Sequence, residues 1–248
     1  MAPRLYPRNG SLVQPPLARG DKRGYGGPVM RGFWGRGMLI EIYSDLICPW
    51  CFLGKVRLDR ALAERPGVRV DLRWMPFQLN PDLPAEGMDR DLYFTAKFGG
   101  PERARQMNAV VEQAAAREGL FLRLDLIRRI PSTLQAHRMV RFAERFGKAT
   151  DMAMALFTAY FQQGRDIGNL TTLVRVAAEL GLDAVEATDY LIGEADMAAV
   201  KGSDALARQL GVQAVPCYIF DRRYALAGAQ EHAAFLPMLD LARDELVG

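Results

Sequence analysis

The sequence predicts an α/β fold in which a block of helices separates two strand-bearing segments. Three observations lead there. Residues 38–45, "MLIEIYSD", and the alternating Val68, Val70, Leu72 and Trp74 bracket a helix-like stretch. Residues 101–193 carry apolar side chains at helical spacing with no strand-like alternation. Two strand-length apolar pieces, "PCYIF" and "YALAG", then return before a last helix. The order is β-α-β, helices, α-β-β-α, and no period of 20–50 residues repeats, which excludes a solenoid.

Each element has its own signal. A helix is predicted from Pro49, with Val56, Leu58, Leu62 and Ala63 inward and Pro66-Gly67 as its stop. "LNPDLPAEG" reads as a loop. Residues 101–118 read as a helix through Met107, Val110, Val111 and Ala114, ending near Gly119. In "PSTLQAHRMVRFAERFG", Ser132 is the expected N-cap, Met139, Phe142, Ala143 and Phe146 share a face, and Gly147 suits the C-terminal turn. Helices over 150–163, 170–180 and about 184–193 follow. "SDALARQLG" closes at Gly211, and "DRR" joins the last two strands as a hairpin. Pro237 is expected to kink the final helix or delay its start.

The chain has 248 residues, half of them hydrophobic and a quarter charged, which is ordinary for a globular protein with a sizeable core. No apolar run approaches the ~20 residues of a membrane helix. Residues 1–37 hold seven basic side chains against the single acid Asp21, a net +6, so the whole-chain +3 leaves the remainder near −3. A mildly acidic body argues against a nucleic-acid partner. The leader is rich in Gly, Pro and Arg without apolar periodicity. Disorder is expected there, as is either a transit-like segment or a true translation start at Met38. Three cysteines without an export signal point to a reducing, cytoplasmic setting.

The chemistry-bearing stretch is "SDLICPWCFLG". Cys48 is placed at the start of the predicted helix, where unsatisfied N–H groups and a partial positive charge favour a thiolate. Pro49 suits the first helical position. Cys51 comes one turn later, within disulfide reach. A dithiol that opens and closes fits this spacing, with Cys48 attacking and Cys51 resolving. Structural zinc fits less well. It wants four ligands, and the chain offers no second Cys-x-x-Cys and only His137 and His232. Two inert core thiols are the remaining alternative.

"IYSDLICPWCFLG" resembles the active-site segment of the DsbA-like thioredoxin superfamily, in particular its FrnE-like branch. The likeness extends over about residues 38–245. It includes "PSTLQAHRMVRFAERFG", "LFTAYFQQGRDIGNLTTL", the cis-proline segment in "LGVQAVPCYIF" and the turn "LAGAQ". The resemblance implies a thioredoxin-like fold with an inserted all-helical domain. The expected divisions are 38–84 and 201–248 for the thioredoxin-like parts and 85–200 for the insertion. It also implies a cis Val215–Pro216 peptide beside Cys48, positioning substrate. Ser132-Thr133 departs from the branch's frequent Asn-Thr, and Cys217 departs from its usual apolar or aromatic residue.

Function is therefore expected to be thiol–disulfide exchange with protein or small-molecule partners. No cofactor is expected to be tightly bound, no metal is expected, and glutathione is the candidate reductant or co-substrate. Pro49 and Trp50 are expected to tune the potential or contact substrate. His137 and Arg138 are candidate cleft residues, although a satisfied structural histidine is the simpler reading. Asp45 is expected to cap or stay solvated, Cys217 to fill a strand core or trap Cys48 off-path, and His232 to start a helix. The relation to kappa-class glutathione transferases and 2-hydroxychromene-2-carboxylate isomerases makes glutathione-dependent transfer or isomerisation the main alternative. A chaperone-like binding module is the third. Nothing in the sequence speaks for a nucleic acid or membrane partner; a homodimer is compatible with it, without a readable interface.

Overall fold

The computed structural model describes residues 37–244; apart from Gly37, the basic leader expected over 1–37 lies outside the described residues. Strand β1 (Met38–Ser44) pairs in parallel with β2 (Val70–Pro76) across the helix α1 (Pro49–Ala63). It pairs on its other side with β5 (Cys217–Phe220), antiparallel, and β5 pairs with β6 (Tyr224–Ala227). The sheet order is β2-β1-β5-β6. As a central strand, β1 is buried on both faces, which explains its continuous apolar run. At the edge, β2 alternates between half-buried and exposed positions. The hairpin turn carries Asp221 and Arg222 at positive φ.

Between β2 and β5 lie α2 (Arg90–Phe98), α3 (Pro101–Arg117), α4 (Leu134–Glu144), α5 (Ala149–Phe161), α6 (Leu170–Glu179), α7 (Ala184–Ile192) and α8 (Met197–Gln209). Asp89, Asn169 and Asp183 cap α2, α6 and α7 through their side chains. Two features were not anticipated. Gly99 and Gly100, both at positive φ, break the chain between α2 and α3. A short antiparallel ribbon, β3 (Met88–Asp89) with β4 (Arg129–Ile130), also accompanies the helices.

Several boundaries moved. The expected division at 200/201 falls inside α8, where Val200, Asp204 and Ala207 form one buried stripe across it. Ser132 is not the N-cap of α4. Thr133 occupies that position with φ −91° and ψ 2°, and without a side-chain capping bond, because its backbone is not extended there. In α3 the inward face is Ala104, Val111 and Ala115, which leaves Met107 and Val110 exposed. A 3₁₀ turn (His232–Ala234) precedes α9 (Leu236–Asp244), so Pro237 sits at a helix start, where a missing N–H does no harm.

Two apolar clusters hold these layers. One packs Ile40, Ile42, Tyr218 and Phe220 of the sheet against Leu58 and Ala61 of α1 and Phe235 and Leu239 near the C-terminus. The other joins Tyr43, Leu46, Phe52 and Phe77 to Met139, Phe142, Phe157 and Phe161, so the helical block and the cysteine end of the sheet share a core. Phe52 stacks on Phe157 with ring centroids 5.2 Å apart. Arg57 clamps α1 to its surroundings, donating to Glu118 (2.9 Å), the Ala229 carbonyl (2.7 Å) and Glu231 (2.6 Å).

Candidate active site

The C-terminal end of β1 opens into a tight turn in which the Cys48 amide donates to the Asp45 carbonyl (3.0 Å). Cys48 is then the N-cap of α1, extended at φ −96° and ψ 110°, with Pro49 following and no side-chain capping bond of its own. Its carbonyl accepts from the amides of Cys51 (3.0 Å) and Phe52 (3.4 Å), closing the first turn. The sulfur is thus held at the positive end of a helix whose first turn carries no acid.

Cys51 lies behind it, 2% exposed. The two residues stand 3.5 Å apart and both thiols are free, well beyond the ~2.05 Å of a formed disulfide. Burial pushes the Cys51 thiol well above its ordinary 9.0, and neighbouring Cys48 adds to the rise. The Ser44 side chain and the Asp45 main chain act in the opposite direction, favouring the thiolate.

Opposite the sulfurs runs the segment before β5. Tyr43 pairs with Cys217 in the sheet register, which brings Val215 and Pro216 beside Cys48. The Cys48 thiol lies 3.7 Å from the Val215 carbonyl, and the Val215–Pro216 peptide is cis. Gly54 lets α1 approach this closely: a Cβ there would lie 2.4 Å from the Tyr218 hydroxyl and 3.0 Å from Pro216. The Pro216 carbonyl accepts from Gly228 (2.7 Å), whose positive φ serves the turn after β6. Pro49 and Trp50 are half-buried at the rim, Trp50 against the shared core. Cys217 is buried in the same core, and that burial pushes its thiol up to about 11.

The remaining candidates separate sharply. Arg138 is not a cleft residue. It is fully buried and donates to the carbonyls of Ala195, Leu191, Tyr190 and Gly193 and to Gln135. The fork of the guanidinium matches the orphan carbonyls at the C-terminus of α7, a structural task. His137 is buried instead against Asp45, its Nε2 3.5 Å from Asp45 Oδ1, and lines a narrow cleft with Ser44, Trp74, Met75 and Arg141. Asp45 is neither a cap nor solvated. It is 0% exposed and accepts from the Leu79 amide (2.6 Å). Sequence reasoning gave it no role, although an acid inside the apolar run "IYSDLIC" was the available signal. His232 starts the 3₁₀ turn, with Nε2 3.3 Å from Glu64.

Among the described residues no group of three or more His, Cys, Asp or Glu is placed to hold a metal ion. No helix among them is long and apolar enough to cross a membrane.

Comparison with known proteins agrees with this architecture. A family model described as the DSBA-like thioredoxin domain matches residues 39–240. A Streptomyces coelicolor protein described as a "probable DsbA oxidoreductase" superposes with a TM-score of 0.75 at 32% identity, covering 84% of this chain and 91% of that one. The uncharacterized Bacillus subtilis protein YwbO is 29% identical over 144 residues, 58% of this chain and 66% of that protein, so the match spans slightly under two thirds of its length. Two solved structures share the fold at lower identity. A 2-hydroxychromene-2-carboxylate isomerase has a TM-score of 0.62 at 17% identity, covering 84% and 96% of the two chains. The cytosolic disulfide reductase DsbM of Pseudomonas aeruginosa, also solved with GSH, has 0.57 at 24%, with the same coverages.

Proposed function

This chain belongs to the DsbA-like thioredoxin domain family, and from that premise we propose that it is a thiol–disulfide oxidoreductase acting through Cys48 and Cys51. The observation that carries this reading is the free thiol of Cys48 at a helix N-cap, with Cys51 3.5 Å away and the Val215 carbonyl beside the sulfur. The Cys48 thiolate attacks one sulfur of a substrate disulfide, RS–SR′, and releases R′S⁻. Cys51 then attacks Cys48 Sγ, expels RS⁻ and closes the Cys48–Cys51 disulfide. The substrate gains the two electrons that the dithiol loses, and the reverse sequence oxidises a substrate dithiol.

The main chain of Val215, set by Pro216, pairs with an extended substrate segment passing the sulfur, as an added strand would. Pro49 and Trp50 form the rim that such a segment crosses. Glutathione is the small-thiol partner: two molecules reduce the protein disulfide and leave as glutathione disulfide. We place the activity in the cytoplasm. The named cytosolic reductase with this fold and its GSH complex support both assignments.

The test is a redox titration in glutathione buffers of graded potential, acid-quenched, alkylated and mapped by mass spectrometry. A reversible two-electron transition confined to Cys48 and Cys51 is the expected result, and its midpoint gives the direction of the reaction. A stable glutathione adduct on Cys48, with Cys51 never pairing, would instead favour glutathione-dependent transfer or isomerisation.

A further inference from the structure

Resolution of the mixed disulfide requires Cys51 to lose a proton, yet its thiol is buried and cannot give it to bulk solvent directly. Buried polar atoms without a hydrogen-bond partner are scarce in folded proteins, and each asks for an explanation. Here Ser44 Oγ, Asp45 Oδ1 and His137 Nε2 are all buried and all lack such a partner. Ser44 links the two ends of the set, acting on Cys51 and lining the cleft that His137 lines. The Asp45 carboxylate stands 3.5 Å from His137 Nε2, and Ser44 and His137 line one narrow cleft that reaches the partly exposed Arg141. The Ser44 side chain and the Asp45 main chain face the Cys51 sulfur and favour its charged form.

We propose that Ser44, Asp45 and His137 form a proton relay that deprotonates Cys51 as it resolves the mixed disulfide on Cys48. The relay deepens the oxidoreductase reading above and rests on it. The Cys51 proton passes to Ser44 and, through solvent in the shared cleft, to His137, whose cation the Asp45 carboxylate stabilises. The thiolate so formed displaces RS⁻ from Cys48 Sγ, and RS⁻ takes a proton from solvent. The substrate disulfide is the oxidant, so no further redox partner enters the step. Ser44, at the reacting sulfur, is the catalytic member; Asp45 and His137 act through it as positioning and proton-holding residues.

Other charged or titratable groups surround the relay. The charge of Asp45 is felt at Tyr93 and Lys97 of α2 and at Tyr160 of α5. Arg141 of α4 stands beside His137 in the cleft, and Cys48 and Tyr218 face Cys51.

The experiment mixes the reduced full-length protein with Ellman's reagent in a stopped-flow instrument. The first thionitrobenzoate released reports attack by Cys48, and the second reports resolution by Cys51, with the product disulfide mapped by mass spectrometry. In Asp45→Asn and His137→Gln the second phase is expected to slow about a hundredfold and to lose the wild-type pH profile, while the first changes less than about twofold. Ser44→Ala is expected to slow the second phase as well. The unchanged first phase shows that the fold is kept, and His137→Gln decides alone should Asp45→Asn lose it. A second phase that keeps its wild-type rate and pH profile in the deciding variants overturns the relay only. A wild-type protein with no second phase overturns the Cys48–Cys51 couple, and the relay with it.

Discussion

His137 and Arg138 are neighbours on one helix, yet they serve two buried polar regions of opposite character. Around Arg138 every contact is made: four hydrogen bonds tie α4 to the end of α7 and the segment after it, and a fifth joins Gln135 on α4 itself. Around His137, Ser44 Oγ, Asp45 Oδ1 and His137 Nε2 are buried without hydrogen-bond partners, although the other Asp45 oxygen accepts from the Leu79 amide. The same fold satisfies one set and leaves the other open a residue away, so the open set does not reflect poor packing. Satisfied buried networks rigidify a structure, whereas unsatisfied ones gather where chemistry needs groups free to exchange protons.

The sharpest way to break this contrast is Arg138→Ala. Removing the guanidinium leaves the buried carbonyls of Tyr190 and Leu191, and the more exposed ones of Gly193 and Ala195, without their donor, and a loss of about 3–5 kcal/mol is expected in denaturant unfolding. A loss below about 1 kcal/mol would mean that solvent replaces the arginine, and the region would not be the rigid one.

The thiols extend the comparison to pH. An unfolded thiol titrates near 9.0, while folded Cys217 keeps its proton up to about 11. Above the first value the unfolded chain sheds a proton that the folded chain retains, so unfolding is favoured as pH rises. Stability from this group is complete below pH 9.0 and lost by about pH 11, some 2–3 kcal/mol in all. Cys51, also raised, contributes in the same direction in the reduced protein. Unfolding of reduced wild type and Cys217→Ala across this window measures it: the variant is expected to lose less.

Gly54→Ala probes the seam between α1 and the Pro216 segment. Its Cβ meets the Tyr218 hydroxyl at 2.4 Å, and separating α1 from Pro216 is expected to cost about 1–3 kcal/mol and to slow attack by Cys48. The smallest stability effect is expected of Asp45→Asn. An asparagine can still accept from the Leu79 amide while its NH₂ donates toward His137, so stability is expected to change by less than about 1 kcal/mol. A large loss would show that Asp45 is as structural as Arg138.

Much of this was legible before the structure. The elements rest on local patterns: alternation in Val70, Leu72 and Trp74, Pro49 opening a helix, Gly211 ending one. The β3–β4 ribbon was not legible, because two residues per strand leave no periodicity to read. The start of α8 was missed because Gly202 and Ser203 look like a break, while burial of Val200 on the preceding turn carries the helix through them. His137 and Arg138 were read alike, and no sequence pattern separates an imidazole facing a carboxylate from a guanidinium closing another helix.

The sequence by itself determined which residues make strands and helices and that two cysteines stand one turn apart at a helix start. Those properties arise between residues close in the chain, where spacing and backbone preference act directly. Only the tertiary structure decided that Asp45 is buried and that His137 meets it, whereas Val215 beside Cys48 was already implied by the family resemblance. Burial and pairing of distant groups follow from how layers pack, and a polar side chain's role depends on which partners that packing supplies or withholds.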